Sequence, residues 1–224
     1  MSLNVKAWLG LVALALVMAL LVFIPAGTLR YWQGWLFLAV FFASGVSHTL
    51  YGMKNDPALL ERRLAGGPMA ERSSSQRTIM LFVSLGFIGL LVVPALGWRF
   101  GWGTLPLAAV LAGDALITVG FFIVFLAFRE NTFAAANVDI FPGQRVISSG
   151  PYAVVRHPQY AGAFLYLLGM PLALGCWWGL FVFAAMVPFL IWRLLDEEKM
   201  LAKDLPGYAD YRDRVHWRLI PGIY

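Results

Sequence analysis

Chemically versatile side chains are concentrated in residues 150–162, a polar stretch in a chain that is otherwise mostly apolar. Within it, Arg156 and His157 precede Pro158, and Tyr160 follows two positions later. Proline suits the first position of a helix and biases the residue before it toward extended backbone. Arg156 and His157 are therefore predicted to lie at a helix N-terminus, where free N–H groups and the helix dipole favour an anion. The simpler alternative is that Arg156 anchors lipid phosphates at a membrane edge.

A second pair of polar residues, Arg193 and Glu197, lies near the end of the last apolar stretch. On a continuing helix, side chains at this spacing share one face. Arg193 falls in the last turn of the apolar stretch, where an unpaired cation is costly in a membrane. A partner is therefore expected, either Glu197 or a ligand, and the spacing leaves a structural ion pair and a functional pair equally open.

The composition defines the class of protein. Of the 224 residues, 60% are hydrophobic and 13% are charged, against about a quarter charged in an average soluble domain. An integral membrane protein fits these values. The single cysteine, Cys176, excludes an internal disulfide, and the three histidines are too far apart for a recognisable ligand motif, so no metal is predicted.

Hydropathy predicts an all-α integral membrane protein with about five to six transmembrane helices in a single domain over residues 1–224. Four N-terminal spans are expected within residues 1–128, at about 7–26, from the aromatic cluster at 30–35 to Tyr51, at 78–97 and at 104–128. Asp56 and Pro57 begin a short surface helix between the second and third spans. The remainder, 129–224, begins with a long polar loop, continues as a hairpin of two shortish helices divided at residues 171–179, and ends in a charged helical tail.

The distribution of basic residues predicts the topology. With alternating crossings, all but Arg30 and Arg99 of the 17 lysines and arginines fall on one side of the membrane. Such a bias makes the basic side cytoplasmic, with both termini there. The net charge of +5 therefore indicates a membrane surface, and nucleic acid is not an expected partner. The same reasoning puts the long loop, residues 150–162 and the tail on one face, where they are expected to meet.

Taken together, the motifs of residues 131–221 resemble the isoprenylcysteine carboxyl methyltransferase family, which shares features with phospholipid methyltransferases. The matching residues are Ser149-Gly150-Pro151-Tyr152, then Arg156-His157-Pro158, Tyr160 and Gly162, then Glu197-Glu198, Leu201, Tyr208, Tyr211 and Ile220-Pro221. The resemblance implies that residues 129–224 form a catalytic region. It also implies an active site that faces the cytoplasm.

The resemblance further implies S-adenosyl-L-methionine as the cofactor, bound within the membrane domain without a Rossmann fold. No strand–glycine-rich turn–helix unit occurs in the sequence, in agreement. The implied catalytic residues on the substrate side are Arg193 and Glu197. The implied cofactor-binding residues are Gln144, Arg145, Val146, Ile147, Tyr152, His157, Pro158, Gln159 and Tyr160.

The methyl acceptor is left open by these residues. A terminal carboxylate is ionised at cytoplasmic pH and needs no base, so Arg193 would hold it while Glu197 fixes the rotamer of Arg193. With an amine as acceptor, Glu197 would instead take up a proton. The expected partners are a lipophilic small molecule or prenylated substrate and membrane lipids, with no obligate protein partner evident.

Two further classes of function compete with methyl transfer. Membrane sterol reductases that use NADPH resemble this fold toward the C-terminus, but they tend to lack the proline that follows Arg156 and His157 here. A non-catalytic transporter or scaffold would bind no cofactor, and it explains poorly why polar residues collect on one face. Asp114 and His48, within predicted spans, are functional candidates by default. Their different depths argue against a direct pair.

Overall fold

The computed structural model describes residues 1–66, 71 and 73–224, and these residues form an all-α protein. Gly67–Ala70 and Arg72, one of the basic residues assigned above to the cytoplasmic side, lie outside the described residues. The helices are α1 (Leu3–Ala26), α2 (Trp32–Asn55), α3 (Pro57–Leu64), α4 (Ser74–Phe100), α5 (Leu107–Glu130), α6 (Pro158–Ala173), α7 (Gly179–Asp204) and α8 (Tyr208–Arg214). Five of them, α1, α2, α4, α5 and α7, are long and apolar enough to span a membrane.

The predicted fold class is confirmed, and the helix boundaries show why. Asp56 caps α3 by accepting from the backbone N–H of Leu59 at 2.9 Å, and Pro57 occupies the first turn, as the sequence indicated. Pro158 likewise opens α6. The C-terminal hairpin is present, but its second arm is not short. Helix α7 has 26 residues and continues through the charged stretch to Asp204, because good helix formers run on until Pro206.

Helices α5 and α6 pack with their backbones in close contact, and glycines make this possible. Gly120 lies so near α6 that an added Cβ would stand 2.5 Å from the carbonyl oxygen of Gly162, and the converse distance is also 2.5 Å. Two helical turns away, Gly113 and Gly169 face each other in the same way. Small residues at helix interfaces allow such approach in membranes. The start of α6, with Pro158 and Tyr160, is thereby fixed against α5.

The α1–α2, α4–α5 and α6–α7 connections meet at one end of the bundle. Tyr31 donates its hydroxyl hydrogen bond to the carbonyl of Leu174, and its ring stacks on Trp98 at 5.0 Å. The N–H of Leu105 donates to the carbonyl of Gly175 at 3.0 Å. This end carries Arg30 and Arg99, as the charge analysis predicted.

At the opposite end, arginines hold the long loop between α5 and α6 against the helices. Arg62 donates to the carbonyl of Thr132 at 2.7 Å, and Arg63 to that of Ala135 at 3.1 Å. From α7, Arg193 donates to the carbonyl of Ala136 at 2.9 Å. The loop, α3, the start of α6 and the tail therefore meet at the basic end, as predicted. Which end faces the cytoplasm stays a prediction.

Candidate active site

A cavity of about 350 Å³ lies at the basic end of the bundle, beneath the long loop and between α6, α7 and α8. Its volume falls at the lower end of the range typical of small-molecule sites, roughly 300–1,000 Å³. Its lining combines apolar side chains, such as Met186 and Leu190, with polar and charged ones. We call this space the reaction cavity.

The reaction cavity collects the residues that the sequence motifs predicted for a binding site. Those that line it are Gln144, Arg145, Val146, Ile147, Tyr152, His157, Gln159, Tyr160, Arg193 and Glu197. Pro158 is the exception, since it is buried at the start of α6 outside the lining and serves to begin the helix. Residues that lie far apart in sequence thus line one cavity.

Tyr160 and Glu197 join the two principal motifs across this cavity. The hydroxyl of Tyr160 donates to Oε2 of Glu197 at 2.6 Å, a length typical of a hydrogen bond to a carboxylate. The hydrogen bond from Tyr160 fixes the orientation of the Glu197 carboxylate. Because Glu197 is only half-buried and lines the cavity, its other oxygen stays accessible. The predicted meeting of the two stretches is therefore present in the structure.

The expected ion pair between Arg193 and Glu197 is replaced by another. Arg193 Nη1 lies 2.8 Å from Glu71 Oε1 and 2.8 Å from the amide oxygen of Gln76. Gln76 in turn donates to Asp196 at 2.6 Å. Glu71, with a relative exposure of 1%, is almost fully buried, so the arginine and glutamate neutralise each other away from water. Glu71 therefore fixes the rotamer of Arg193, a role that the sequence had given to Glu197.

Arg156 and His157 also differ from expectation, because the anion at this helix N-terminus belongs to the chain itself. Arg156 Nε lies 2.6 Å from Glu198 Oε1, and Arg218 Nε lies 2.8 Å from Glu198 Oε2. His157 Nε2 is 3.5 Å from the same carboxylate. Since Arg156 is 94% buried, its alternative role as an anchor for lipid phosphates is wrong.

Backbone contacts complete this junction between α6 and the tail. The N–H groups of Arg156 and His157 donate at 2.9 Å to the carbonyls of Trp217 and Arg218. Arg156 Nη1 also donates to the carbonyls of Val215 and His216, at 2.7 and 2.8 Å. We call this set, centred on Glu198, the tail clamp. It closes one wall of the reaction cavity.

Tyr152 is held at both ends of its residue. Its hydroxyl accepts from the Asn131 amide at 3.2 Å, and its carbonyl accepts from the hydroxyl of Tyr211 at 2.7 Å. Burial raises the pKa of Tyr152 to about 12, so the phenol is neutral near pH 7. Burial likewise raises the pKa of Tyr211, which keeps its proton for the hydrogen bond to Tyr152.

Tyr208 provides the observation that indicates a ligand. Its side chain is 96% buried and lines the reaction cavity, yet its hydroxyl has no hydrogen-bond partner among the described residues. Burial raises the pKa of Tyr208, so this group remains a donor. A buried hydroxyl without a partner costs about 1–3 kcal/mol, which a polar ligand in the cavity would recover. The residues present therefore fit a polar cofactor of moderate size.

Sequence reasoning missed several residues that build the site, chiefly Glu71, Gln76 and Asn131. Glu71 lies in a polar inter-helix segment whose composition predicts only solvent exposure, and Gln76 is a single amide at the start of a span. Asn131, directly after α5, carried the one available signal, since asparagine often ends a helix. Asp114 and His48 do not join the site, because neither lines the reaction cavity. His48 Nδ1 instead contacts the carbonyl of Ser44 at 2.8 Å.

Comparison with known proteins adds a family to this geometry. Residues 108–206 match the family model described as phospholipid methyltransferase. The match runs from the beginning of α5 to just beyond α7 and contains every residue that the sequence motifs assign to cofactor or acceptor. No curated protein matches the chain. The family match confirms the resemblance drawn from the motifs, and together with the five apolar helices it supports an integral-membrane methyltransferase.

Proposed function

We propose that this protein is an integral-membrane S-adenosyl-L-methionine-dependent methyltransferase acting on a lipophilic acceptor. The carboxylate of an isoprenylcysteine-like compound, reached from the cytoplasmic face, is the first candidate acceptor. One observation carries the proposal: all the residues that the motifs assign to the cofactor, except Pro158, line a single cavity with Glu197 and Arg193, inside the segment that matches the methyltransferase family.

The lining of the reaction cavity suits the proposed cofactor. S-adenosyl-L-methionine supplies a methyl group already activated by a sulfonium centre, so transfer chiefly requires alignment and exclusion of water. The aromatic rings of Tyr152 and Tyr160 suit a purine and a sulfonium cation. The hydroxyl of Tyr208, which has no hydrogen-bond partner in the described part of the chain, suits a ribose or carboxylate oxygen. Residues 144–147 would form the side of the site nearest the long loop.

Arg193 and Glu197 are proposed to serve the acceptor in different ways. Arg193 is neutralised by Glu71 and also holds the loop carbonyl of Ala136, so its guanidinium is fixed in position. A guanidinium held this way would orient a carboxylate acceptor with little loss of entropy. Glu197, directed by Tyr160, is the group that would take up a proton from an amine acceptor.

The decisive experiment is transfer of a radiolabelled methyl group from S-adenosyl-L-methionine by detergent-purified protein. Acceptors would be a farnesyl-cysteine analogue and a total lipid extract, with base-labile methyl release scored separately. We expect base-labile label on the farnesyl-cysteine analogue. Absence of S-adenosyl-L-methionine binding in calorimetry, together with absence of transfer to either acceptor, would overturn the proposal.

Variants separate the cofactor side from the acceptor side. We expect Arg193→Ala and Glu197→Ala to leave S-adenosyl-L-methionine affinity nearly unchanged and to abolish turnover. For Tyr152→Ala and His157→Ala we expect weaker cofactor binding. Tyr51→Ala is the matched control, because Tyr51 does not line the reaction cavity. Its ring packs on that of Phe125, with 5.1 Å between the ring centroids. Unchanged cofactor affinity in Tyr152→Ala would contradict the placement of the cofactor.

A second candidate, N-methylation of a phospholipid amine, is favoured by the match to the phospholipid methyltransferase family. It predicts base-stable label that extracts with lipid and a strict requirement for Glu197 as proton acceptor. An NADPH-dependent sterol-type reductase is the third candidate. Competition between NADPH and S-adenosyl-L-methionine for the purified protein tests it directly, and tight NADPH binding would favour the reductase.

A further inference from the structure

Residues 132–141, within the loop between α5 and α6, contribute to the reaction cavity without belonging to a helix or strand. The inner part of this segment, residues 133–139, lines the cavity. We call residues 132–141 the clasped loop. Because no regular structure pairs its backbone groups, contacts with other parts of the chain must hold it in place.

Arg62 of α3 contacts both ends of the clasped loop. At one end, Nη1 of Arg62 donates to the carbonyl of Thr132 at 2.7 Å. The guanidinium carbon also lies over the ring of Phe133, 5.2 Å from the ring centroid. At the other end, the same carbon lies over the ring of Phe141, 5.1 Å from that centroid. One guanidinium therefore joins the two ends of the loop, although Arg62 itself does not line the reaction cavity.

A guanidinium suits this position because of its shape and hydration. It is planar, stacks on aromatic faces and is more weakly hydrated than an ammonium, while its N–H groups remain free for hydrogen bonds in the plane. Cation–π contacts strengthen as the cation leaves water, and Arg62 is half-buried. A lysine here would keep the charge and lose the fit to two rings and a carbonyl.

A turn fixes the second ring in front of Arg62. The N–H of Gln144 donates to the carbonyl of Phe141 at 3.0 Å, and the side-chain oxygen of Gln144 accepts from the N–H of Phe141 at 2.9 Å. Between them, Pro142 suits the second position of a turn and Gly143, with φ of 74°, the third. Phe141 is thereby presented to Arg62 by local sequence.

The backbone of the clasped loop reaches the acceptor side of the reaction cavity. The carbonyl of Ala136 accepts from Arg193 at 2.9 Å, and the N–H of Val138 donates to Oε2 of Glu71 at 3.3 Å. The loop thus contacts both members of the buried ion pair. Any shift of the loop would move Arg193, the residue proposed to orient the acceptor.

We propose that Arg62 is a positioning residue for methyl transfer. By joining the two ends of the clasped loop, it keeps Ala136 and Val138 in place and thereby fixes Arg193. This role rests on the proposed function, because it concerns the acceptor side of the same cavity. Arg62 lies outside residues 108–206, the segment that matches the family model, so the family motifs do not contain it.

Hydrogen exchange of the full chain in nanodiscs tests the clasp without any ligand. In Arg62→Ala, the amides of residues 132–141 should exchange about ten- to a hundredfold faster, because a charge-assisted hydrogen bond and two ring contacts are lost. Arg129→Ala is the matched control, since Arg129 is exposed at the end of α5 and does not line the reaction cavity. Thermal unfolding in detergent shows whether both variants fold.

Phe141→Leu provides a milder second variant, because Phe141 contacts Arg62 without lining the reaction cavity. It should speed exchange of the same residues by about three- to tenfold in the wild-type chain. In the Arg62→Ala background it should change exchange by less than about twofold, since the contact is already lost. Equal effects in the two backgrounds would show that ring and guanidinium act independently, and would overturn the clasp.

Methyl transfer measures the consequence for the site. Arg62→Ala should lower kcat/KM for the acceptor by about tenfold and change S-adenosyl-L-methionine affinity by less than about threefold, because the displaced group is on the acceptor side. Arg62→Lys should show most of this loss, since an ammonium does not replace the planar contacts. Arg129→Ala should behave as wild type in both measurements.

Three further results would overturn the inference. The first is equal exchange of residues 132–141 in Arg62→Ala and Arg129→Ala. The second is normal acceptor kcat/KM in a variant whose loop exchange is faster, and the third is wild-type behaviour of Arg62→Lys. Failure of the proposed function would instead appear as absent S-adenosyl-L-methionine binding by the wild-type chain, with the exchange difference between Arg62→Ala and Arg129→Ala intact.

Discussion

Glu197 and Glu198 are neighbours on α7 with opposite surroundings. Glu198 is buried and contacted by Arg156, Arg218 and His157, whereas Glu197 faces the reaction cavity and accepts one hydrogen bond from Tyr160. Successive helix positions differ by about 100°, so the two carboxylates leave the helix on different faces. At the residue scale, this division gives Glu198 a structural role and leaves Glu197 as the candidate for the proposed chemistry.

We therefore expect Glu198→Gln and Glu197→Gln to differ sharply. Glu198→Gln leaves Arg156 and Arg218 without a counter-ion, at a cost of about 3–5 kcal/mol in the free energy of unfolding. Glu197→Gln keeps an acceptor for Tyr160, so stability should change by less than about 1 kcal/mol while turnover falls. Thermal unfolding in detergent and the methyl-transfer assay measure both. Equal loss of stability in the two variants would contradict the assignment.

The buried pair of Arg193 and Glu71 gives a second prediction at this scale. Glu71→Gln removes the counter-ion of a buried arginine and should destabilise the protein by about 3–5 kcal/mol. The double variant Glu71→Leu with Arg193→Met removes both charges, so much of the stability should return while activity does not. Thermal unfolding of the single and double variants tests this. A double variant that is less stable than Glu71→Gln would argue that the pair contributes more than charge compensation.

At the scale of elements, the pairing of α5 with α6 determines where the first turn of α6 lies relative to the reaction cavity. Glycines at 113 and 120 face glycines at 169 and 162 across backbones in close contact. Any side chain at these positions would displace α6. With it would move Tyr160, whose hydroxyl directs Glu197. The helix pair is thus a positioning device for the reaction cavity.

Gly120→Leu tests the pairing. Its Cβ would stand 2.5 Å from one backbone atom and 2.6 Å from another, so we expect a loss of at least about 3 kcal/mol in unfolding free energy, at the upper end for overpacking. Val119→Leu is the matched control, because Val119 is 49% exposed on the outward face of the same helix. Thermal unfolding of both variants in detergent provides the measurement. Comparable stability of Gly120→Leu and wild type would show that the helices separate without cost.

The tail clamp is the second device at this scale. It joins the start of α6, the end of α7 and residues 215–218, so that three separate segments close one wall of the cavity. The motif of Arg156 and His157 was interpreted from sequence as an anion site. In the structure, the anion at this motif is the side chain of Glu198. The motif therefore joins the start of α6 to the tail, and this junction forms one wall of the reaction cavity.

At the scale of the whole molecule, the reaction cavity lies at the basic end of the bundle. At the opposite end, which we call the aromatic end, Tyr31 stacks on Trp98. The excess of basic residues predicts that the cavity end faces the cytoplasm. Under the proposed function, an acceptor anchored in the inner leaflet would then reach the reaction cavity without crossing the membrane.

Cysteine labelling tests this orientation. In a Cys176→Ala background, Ser148→Cys reports on the basic end and Leu29→Cys on the aromatic end, and both positions are exposed. An impermeant maleimide should label Leu29→Cys in right-side-out membrane vesicles and Ser148→Cys in inverted ones. The reverse labelling pattern would place the reaction cavity on the side away from the cytoplasm and contradict the predicted topology.

The sequence alone determined the helical membrane class, the approximate spans, the start of α6 at Pro158 and the segments that meet at the basic end. These features follow from local composition, periodicity and charge, which act over one or two turns or over whole loops. The family resemblance came from short motifs, and it anticipated the lining of the reaction cavity from residues 144–160 and α7.

Only the tertiary structure decided how buried charges are partnered. Arg193 reaches Gln76, 117 positions away, and Glu71 in place of the carboxylate four residues along its own helix. Arg63 is left without a carboxylate, and the hydroxyl of Tyr208 without a partner, among the described residues. The physical reason is that a buried charge selects its partner by distance after the loops have folded, and sequence spacing carries no record of that distance.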